Sequence, residues 1–248
     1  MRTVSYTLES WKRKVPRRIT GYTFTEVQVL TVSIMENGIT GRGEGTGVYY
    51  LDETGESLLA QAETVKQVLE RGADRGQLQD LLPAGGARNA IDCALWDLEI
   101  KQSGKNVWAL TGIQPHEIIT VNTMNFGDPK DMAIAAIALD SSKIKVKLDA
   151  DMPLERIQAV CTARPEAEIV VDVNQGWTFK QLVEFAPKFK ALGVSVIEQP
   201  LPRGADAELK GYQSPITLCA DESCLDTNEL EQVADHYQMV NIKLDKTG

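Results

Sequence analysis

Five charged residues, Lys147, Asp172, Glu198, Asp221 and Lys243, stand at the ends of short apolar runs, separated by 25, 26, 23 and 22 residues. A spacing of this size suits one β-strand plus one helix, so the five would recur at one phase of a βα repeat. In a (β/α)-barrel the C-terminal ends of all strands face one mouth, where active sites lie; a doubly wound sheet would spread them along an edge. Taken singly, each charge reads as a solvated strand end, because loops are normally polar. The shared phase argues for convergence. Three carboxylates, Asp172, Glu198 and Asp221, aimed into one cavity repel unless a cation holds them, and all-oxygen ligation suits Mg²⁺ better than zinc. Lys147 and Lys243 would flank that metal from two sides, with Lys145 on the same face of its strand as Lys147. A lysine serves as a base near neutral pH only when its pKa is lowered, and a neighbouring cation plus desolvation does this. The chemistry indicated is proton transfer.

The elements that must position these residues divide the chain near residue 115. Before it, Val27, Val29 and further apolar residues alternate up to Ile34, and Glu36-Asn37-Gly38 supplies a hairpin turn. Helical periodicity follows over Ser57 to Glu70 and over Ala87 to Gln102, where Ala90, Ile91, Ala94, Leu95 and Leu98 share a face. Ser103-Gly104 closes the second helix. After it, strands are expected at Ile118–Val121, Ile144–Leu148, Ile169–Val173, Val194–Ile197, Ile216–Leu218 and Val240–Leu244. The expected architecture is an α+β domain over 1–115 and an α/β barrel portion over 116–248.

Composition narrows the function classes. The 248 residues are 43% hydrophobic and 25% charged, with 26 Lys+Arg against 35 Asp+Glu for a net charge of −9, which disfavours a nucleic-acid binder. No run reaches the roughly 18 apolar residues of a membrane span, and the start lacks a signal-peptide core, so the cytoplasm is expected. Cys93, Cys161, Cys219 and Cys224 are scattered without a CxxC and read as reduced thiols. With only His116 and His236, histidine-based metal sites and triads have little material. Trp96 and Trp108 read as helix core rather than as a cofactor box. Gly43-Glu44-Gly45-Thr46-Gly47-Val48-Tyr49-Tyr50 is glycine-rich but lacks a P-loop lysine and is read as a mobile lid over the barrel mouth.

The combination Lys145-Val146-Lys147, Asp172-Val173-Asn174, Glu198-Gln199-Pro200, Ala220-Asp221-Glu222-Ser223 and Asn241-Ile242-Lys243 resembles the enolase superfamily, in its muconate-lactonizing-type subgroup. Within that group the segments Ala87–Leu98 and Met239–Gly248 are most similar to the dipeptide epimerases. The resemblance implies an N-terminal α+β capping domain and a modified TIM barrel, (β/α)₇β, with Mg²⁺ on Asp172, Glu198 and Asp221 and catalytic lysines at Lys147 and Lys243. It also implies that Lys145 and Thr123 contact the substrate, and that the reaction is epimerisation of the second residue of an L-Ala-X dipeptide through an enediolate. Relatives in the superfamily that make o-succinylbenzoate or racemise N-acylamino acids use the same set, and a noncatalytic ligand-binding barrel is the alternative from another class. Glu222 and Asp245 read either as supports of the neighbouring ligand and lysine or as solvated neighbours. Six strands do not close such a barrel, so the chain is expected to stop before the last two βα units, where the family's ammonium-binding Asp-x-Asp motif lies. Phe24 stands where epimerases acting on Ala-Glu carry an arginine, with Arg17 and Arg18 nearby, so a second residue other than Glu is expected. A homo-oligomer is left open.

Overall fold

A computed structural model describes residues 1–19 and 21–247, with side chains for 1–16 and 21–246. The side chains of Arg17 and Arg18 lie outside the described residues. The chain divides into two compact units, Met1–Lys14 with Thr25–Glu117 and Ile242–Gly248, and Val15–Phe24 with Ile118–Asn241.

The first unit is built on a three-stranded sheet in the order β1 (Arg2–Ile19), β2 (Tyr22–Glu36) and β3 (Ile39–Thr46). β2 and β3 pair antiparallel with Glu36 opposite Ile39, which leaves a two-residue loop. Asn37 and Gly38 take φ values of 52° and 79°, the left-handed pair that a tight hairpin turn requires. Leu30, Val32 and Ile34, two apart on β2, are fully buried. Helix α1 (Gly55–Glu70) starts at a capping box in which Thr54 and Ser57 exchange backbone and side-chain hydrogen bonds, and it buries Leu58, Ala62, Val65 and Leu69. The short α2 (Arg75–Leu81) leads to α3 (Gly86–Ser103), whose anticipated face of Ala90, Ile91, Ala94, Leu95 and Leu98 is buried and which ends at Gly104 in the left-handed conformation. α4 (Val107–Thr111) follows.

Residues 43–46 of the segment read as a lid belong to the sheet. Gly43 and Gly45 lie within β3, where a Cβ would come within 2.2 Å of the Ala90 carbonyl oxygen and 2.4 Å of the Gly86 carbonyl oxygen, respectively. The bare backbone of β3 therefore lets α3 lie directly on it. The two tryptophans also depart from expectation: Trp96 is half-buried beneath the Arg75 guanidinium, 3.4 Å from its ring centroid, and Trp108 is exposed. All four cysteines are free.

The second unit is a parallel sheet ordered β4 (Asn122–Met124), β5 (Lys143–Lys147), β6 (Glu168–Asp172), β7 (Val194–Glu198), β8 (Thr217–Ala220) and β9 (Met239–Val240). Between strands run α5 (Pro129–Ala138), α6 (Pro153–Ala163), α7 (Phe179–Ala191), a 3₁₀ turn at Asp206–Leu209, and α8 (Leu230–Ala234). One sheet face is apolar: Val146, Val171, Ile197 and Leu218 are buried in a core that includes Trp177, Leu182 and Phe189. This is the α/β barrel portion anticipated from the βα spacing. Two strand boundaries differ from the sequence reading. The first barrel strand is Asn122–Met124 rather than Ile118–Val121: the pairing begins at Asn122 opposite Ile144, in that register residues 118–120 lie before the start of β5, and Ile118 and Ile119 are exposed. The last strand stops at Val240, opposite Ala220, where β8 itself ends. The rest of the expected strand instead leads into helix α9 (Leu244–Thr247), in the segment grouped with the first unit. Among the described residues no helix is long and apolar enough to cross a membrane.

Candidate active site

Parallel pairing sets the site. Lys147, Asp172, Glu198 and Cys219 are mutual register partners on β5 to β8, so their side chains leave the same face of the sheet. Since Val146, Val171, Ile197 and Leu218 face the buried core, the alternation sends this row to the opposite face. Asp221 directly follows β8 and is two residues beyond Cys219.

The charges meet there. Lys147 Nζ donates to Asp172 Oδ2 at 2.6 Å and to Asn174 Oδ1 at 2.7 Å. Lys145 Nζ donates to both carboxylate oxygens of Glu198, at 2.8 and 2.7 Å, and lies 2.8 Å from Asp172 Oδ2. Carboxylate oxygens of Asp172, Glu198 and Asp221 approach within 4.8 Å of one another, and all three residues are buried. Three carboxylates this close in a low-dielectric setting need compensating positive charge. Their oxygen donors fit a hard divalent cation such as Mg²⁺, and they could hold one.

Electrostatics separate the two lysines. Burial lowers the pKa of Lys145, but the Asp172 and Glu198 carboxylates outweigh it, and the net shift is upward. Lys147 ends below its ordinary value: burial lowers it, Asp172 opposes, and the Lys145 ammonium lowers it further. Burial raises Asp172, yet the two ammonium groups hold it below the usual carboxylate range. Glu198 is raised, by burial first and then by the neighbouring Asp172 charge. Burial next to Glu198 and Asp221 pushes the Cys219 thiol up to about 12, which leaves it an unreactive thiol.

Four further residues complete the cluster. Asn174, two past Asp172 and on the same side, donates its backbone N–H to Asp172 Oδ1 at 3.0 Å and its side-chain amide to Glu222 Oε1 at 3.2 Å. Glu222 is buried, and its pKa is pushed up to about 7 by burial and by Asp221 and Asp172. Asn241 donates to Glu198 Oε1 at 2.9 Å. Gln199 spans the ends of β7 and β8 through hydrogen bonds to the backbone N–H groups of Asp221 and Ser223. The period-2 alternation after Asp172 could have singled out Asn174; no sequence signal marks how Gln199 turns.

Of the other anticipated residues, Thr123 is exposed beside its register partner Lys145. Lys243 lies past the end of β9, in the segment that groups with the first unit, as does Asp245. The structure thus brings together Lys145, Lys147, Asp172, Glu198 and Asp221. Phe24 lies at the start of β2, with its ring stacked 6.1 Å from that of Tyr22.

A parallel sheet bearing acids and lysines at successive strand ends, together with a sheet-and-helix N-terminal unit, defines the enolase class of architecture. Residues 1–112 match the mandelate racemase / muconate lactonizing enzyme N-terminal domain, residues 130–248 match the enolase C-terminal domain-like family, and the chain belongs to this superfamily. Within it, the chain is 41% identical over 252 residues to the L-Ala-D/L-Glu epimerase of Escherichia coli strain K12, covering 100% of this chain and 78% of that protein. An Agrobacterium tumefaciens enolase family member, with homology to dipeptide epimerases and with sodium and L-Ala-L-Glu bound, superposes with a TM-score of 0.94 at 36% identity, covering 100% of this chain and 76% of that one. A dipeptide epimerase from Enterococcus faecalis V583, complexed with Mg and L-Leu-L-Tyr, superposes with a TM-score of 0.91 at 26% identity over 99% of this chain and 75% of that one.

Proposed function

We propose that the chain carries the active site of a Mg²⁺-dependent isomerase that epimerises the second residue of an L-Ala-X dipeptide by 1,1-proton transfer. The observation that carries the reading is the buried convergence of three carboxylates, at the ends of β6 and β7 and just after β8, with two lysines of β5. In this reading residues 1–115 form the capping domain and 116–248 the catalytic portion. Asp172, Glu198 and Asp221 hold the metal, which when bound supplies positive charge to neutralise the substrate carboxylate and acidify the adjacent Cα–H. Lys147, with its lowered pKa, exchanges a proton with that carbon on one face, and Lys243 does so on the other. Lys145 keeps its proton and contributes fixed positive charge towards the substrate carboxylate. Thr123, next to Lys145 in the sheet, lines the substrate side. Such an enzyme works in the cytoplasm on a small molecule, and self-association is compatible with it.

The test is α-proton exchange in D₂O followed by NMR, with Mg²⁺ and L-Ala-L-X dipeptides in which X is acidic, apolar or basic. Deuterium at the α-carbon of X and appearance of the L,D diastereomer are expected. Absence of exchange across the set, with turnover of an N-acylamino acid or a dehydration substrate instead, would replace the dipeptide reading by a sister activity of the superfamily.

A further inference from the structure

We propose that Gln199, supported by the Ser223–Asp206–Tyr237 chain, is a positioning residue that fixes two metal ligands, Glu198 and Asp221, relative to each other. The proposal rests on the metal-site reading above. Gln199 directly follows Glu198 and has a φ of 38°, a left-handed conformation that is strained for a non-glycine residue. Such a conformation persists only where the surroundings over-determine it, and here they do. The Gln199 backbone N–H donates to the Cys219 carbonyl at 2.8 Å, which ties the end of β7 to β8. Its side-chain Oε1 accepts from the backbone N–H groups of Asp221 at 2.9 Å and Ser223 at 3.0 Å. Its Nε2 donates to the Leu201 carbonyl and to Ser223 Oγ, each at 2.8 Å. Two acceptor and two donor positions exhaust the capacity of an amide side chain. The residue is fully buried, so each of these bonds is made away from water.

Behind Gln199 the hydrogen bonds converge on the Asp206 carboxylate. Ser223 Oγ, having accepted from Gln199, donates to the Asp206 carboxylate at 2.9 Å, and the Tyr237 hydroxyl donates to the same carboxylate at 2.6 Å. Asp206, Ser223 and Tyr237 are all buried. Asp206 therefore fixes which way the Ser223 hydroxyl points, and the Ser223 oxygen in turn fixes which end of the Gln199 amide faces Asp221 and which faces the loop. Tyr237 precedes β9, so the chain also anchors the loop after β8 to the approach to the next strand. The bonds named above run to backbone groups and among these side chains themselves. Their effect would act through backbone placement of Glu198 and Asp221.

The experiment is Mn²⁺ binding, followed by electron paramagnetic resonance as a probe of the Mg²⁺ site, on wild type, Gln199→Met, Gln199→Glu, Tyr237→Phe and Asp221→Asn. Gln199→Glu keeps the acceptor facing Asp221 but sets an acceptor against the Leu201 carbonyl and Ser223 Oγ. Outer contacts that orient ligands are worth about 10–100-fold in metal affinity, and a loss of that size is expected for both Gln199 variants. Tyr237→Phe, which removes one distant hydrogen bond and keeps the ring, is expected to weaken binding by a few-fold at an unchanged fold. Phe189→Leu, a core change remote from the chain, controls for stability alone: it should lower the melting temperature without moving Mn²⁺ affinity. Wild-type affinity in folded Gln199→Met or Gln199→Glu would overturn the positioning role while leaving the metal site intact. Equal loss of affinity in Phe189→Leu would overturn it as well. Absence of Mn²⁺ binding by the wild type, or its full retention in Asp221→Asn, would remove the metal-site reading itself and this role with it.

Discussion

Replacing Gly43 by alanine tests whether the glycine run serves packing or motion. An added Cβ would sit 2.2 Å from the Ala90 carbonyl oxygen, 2.5 Å from the Ala94 nitrogen and 2.9 Å from the Cys93 Cβ, whereas ordinary contact begins near 3.4 Å. Two of the three obstructing atoms are helix backbone and have no rotamer to escape into, so α3 must retreat by about 1 Å at this point. A radial gap of about 0.5–1 Å already forfeits a quarter to a half of each dispersion contact across the interface. Overpacking a close-packed core costs about 1–3 kcal/mol, and the rigid obstruction places Gly43→Ala at the upper end, roughly 3 kcal/mol. For a chain of this size that is a drop of roughly 6–12 °C in melting temperature. Urea denaturation of Gly43→Ala measures it, alongside Gly127→Ala, where the added carbon meets nothing within 4 Å. A Gly43→Ala protein within about 0.5 kcal/mol of wild type would refute the packing account. Lost turnover at unchanged stability would favour a mobile lid.

Three other outcomes follow from the site and the sheet. Lys147→Ala should retain the fold by circular dichroism and lose about 10²–10⁴-fold in α-proton exchange, the usual contribution of a positioned acid–base group. Asp172→Asn removes the only carboxylate that Lys147 pairs with among the described residues, at 2.6 Å, and one of the two that Lys145 pairs with, at 2.8 Å, and breaking a buried pair of this kind should destabilise by about 3–5 kcal/mol in urea. Glu36 is held below the ordinary carboxylate range by hydrogen bonds from Gln102 and Arg2. A depressed carboxylate adds stability above its unfolded pKa of about 4.3 and loses it as the pH falls through the folded value, so Glu36→Gln should cost about 0.5 kcal/mol at pH 7 and nothing near pH 2.

How far the sequence specified the site follows from which physical signals are local. Strand ends recur at a fixed βα period, and alternation assigns faces, so Lys145, Lys147, Asp172, Glu198 and Asp221 were readable as one group. The helices of the first unit were readable because their apolar faces repeat and because Ser103-Gly104 marks the end of α3; the capping box of Thr54 and Ser57, which starts α1 at Gly55, was not read. Register is not local. Nothing in Ile118–Val121 tells that its would-be partner strand starts too late, and nothing in Val240–Leu244 tells that β8 stops at Ala220. The glycine spacing of β3 was visible, but its purpose depends on a helix about 40 residues downstream. Gln199 was visible only as part of a motif, since its task depends on a left-handed backbone that its residue type does not announce.

The same register explains why the cluster exists as a unit. Lys147, Asp172 and Glu198 face one another because three parallel strands end in step, and their neighbours Val146, Val171 and Ile197 occupy the apolar side for the same reason. A slip of one residue on any strand would exchange the faces, burying a charge among aliphatic side chains and exposing a core residue. Correct placement of the acids and correct burial of the core are therefore one condition, not two. The hydrophobic effect that fixes the sheet also fixes the charges. Their mutual repulsion is tolerated because the pattern of valine, isoleucine and leucine between them leaves the strands no cheaper alignment.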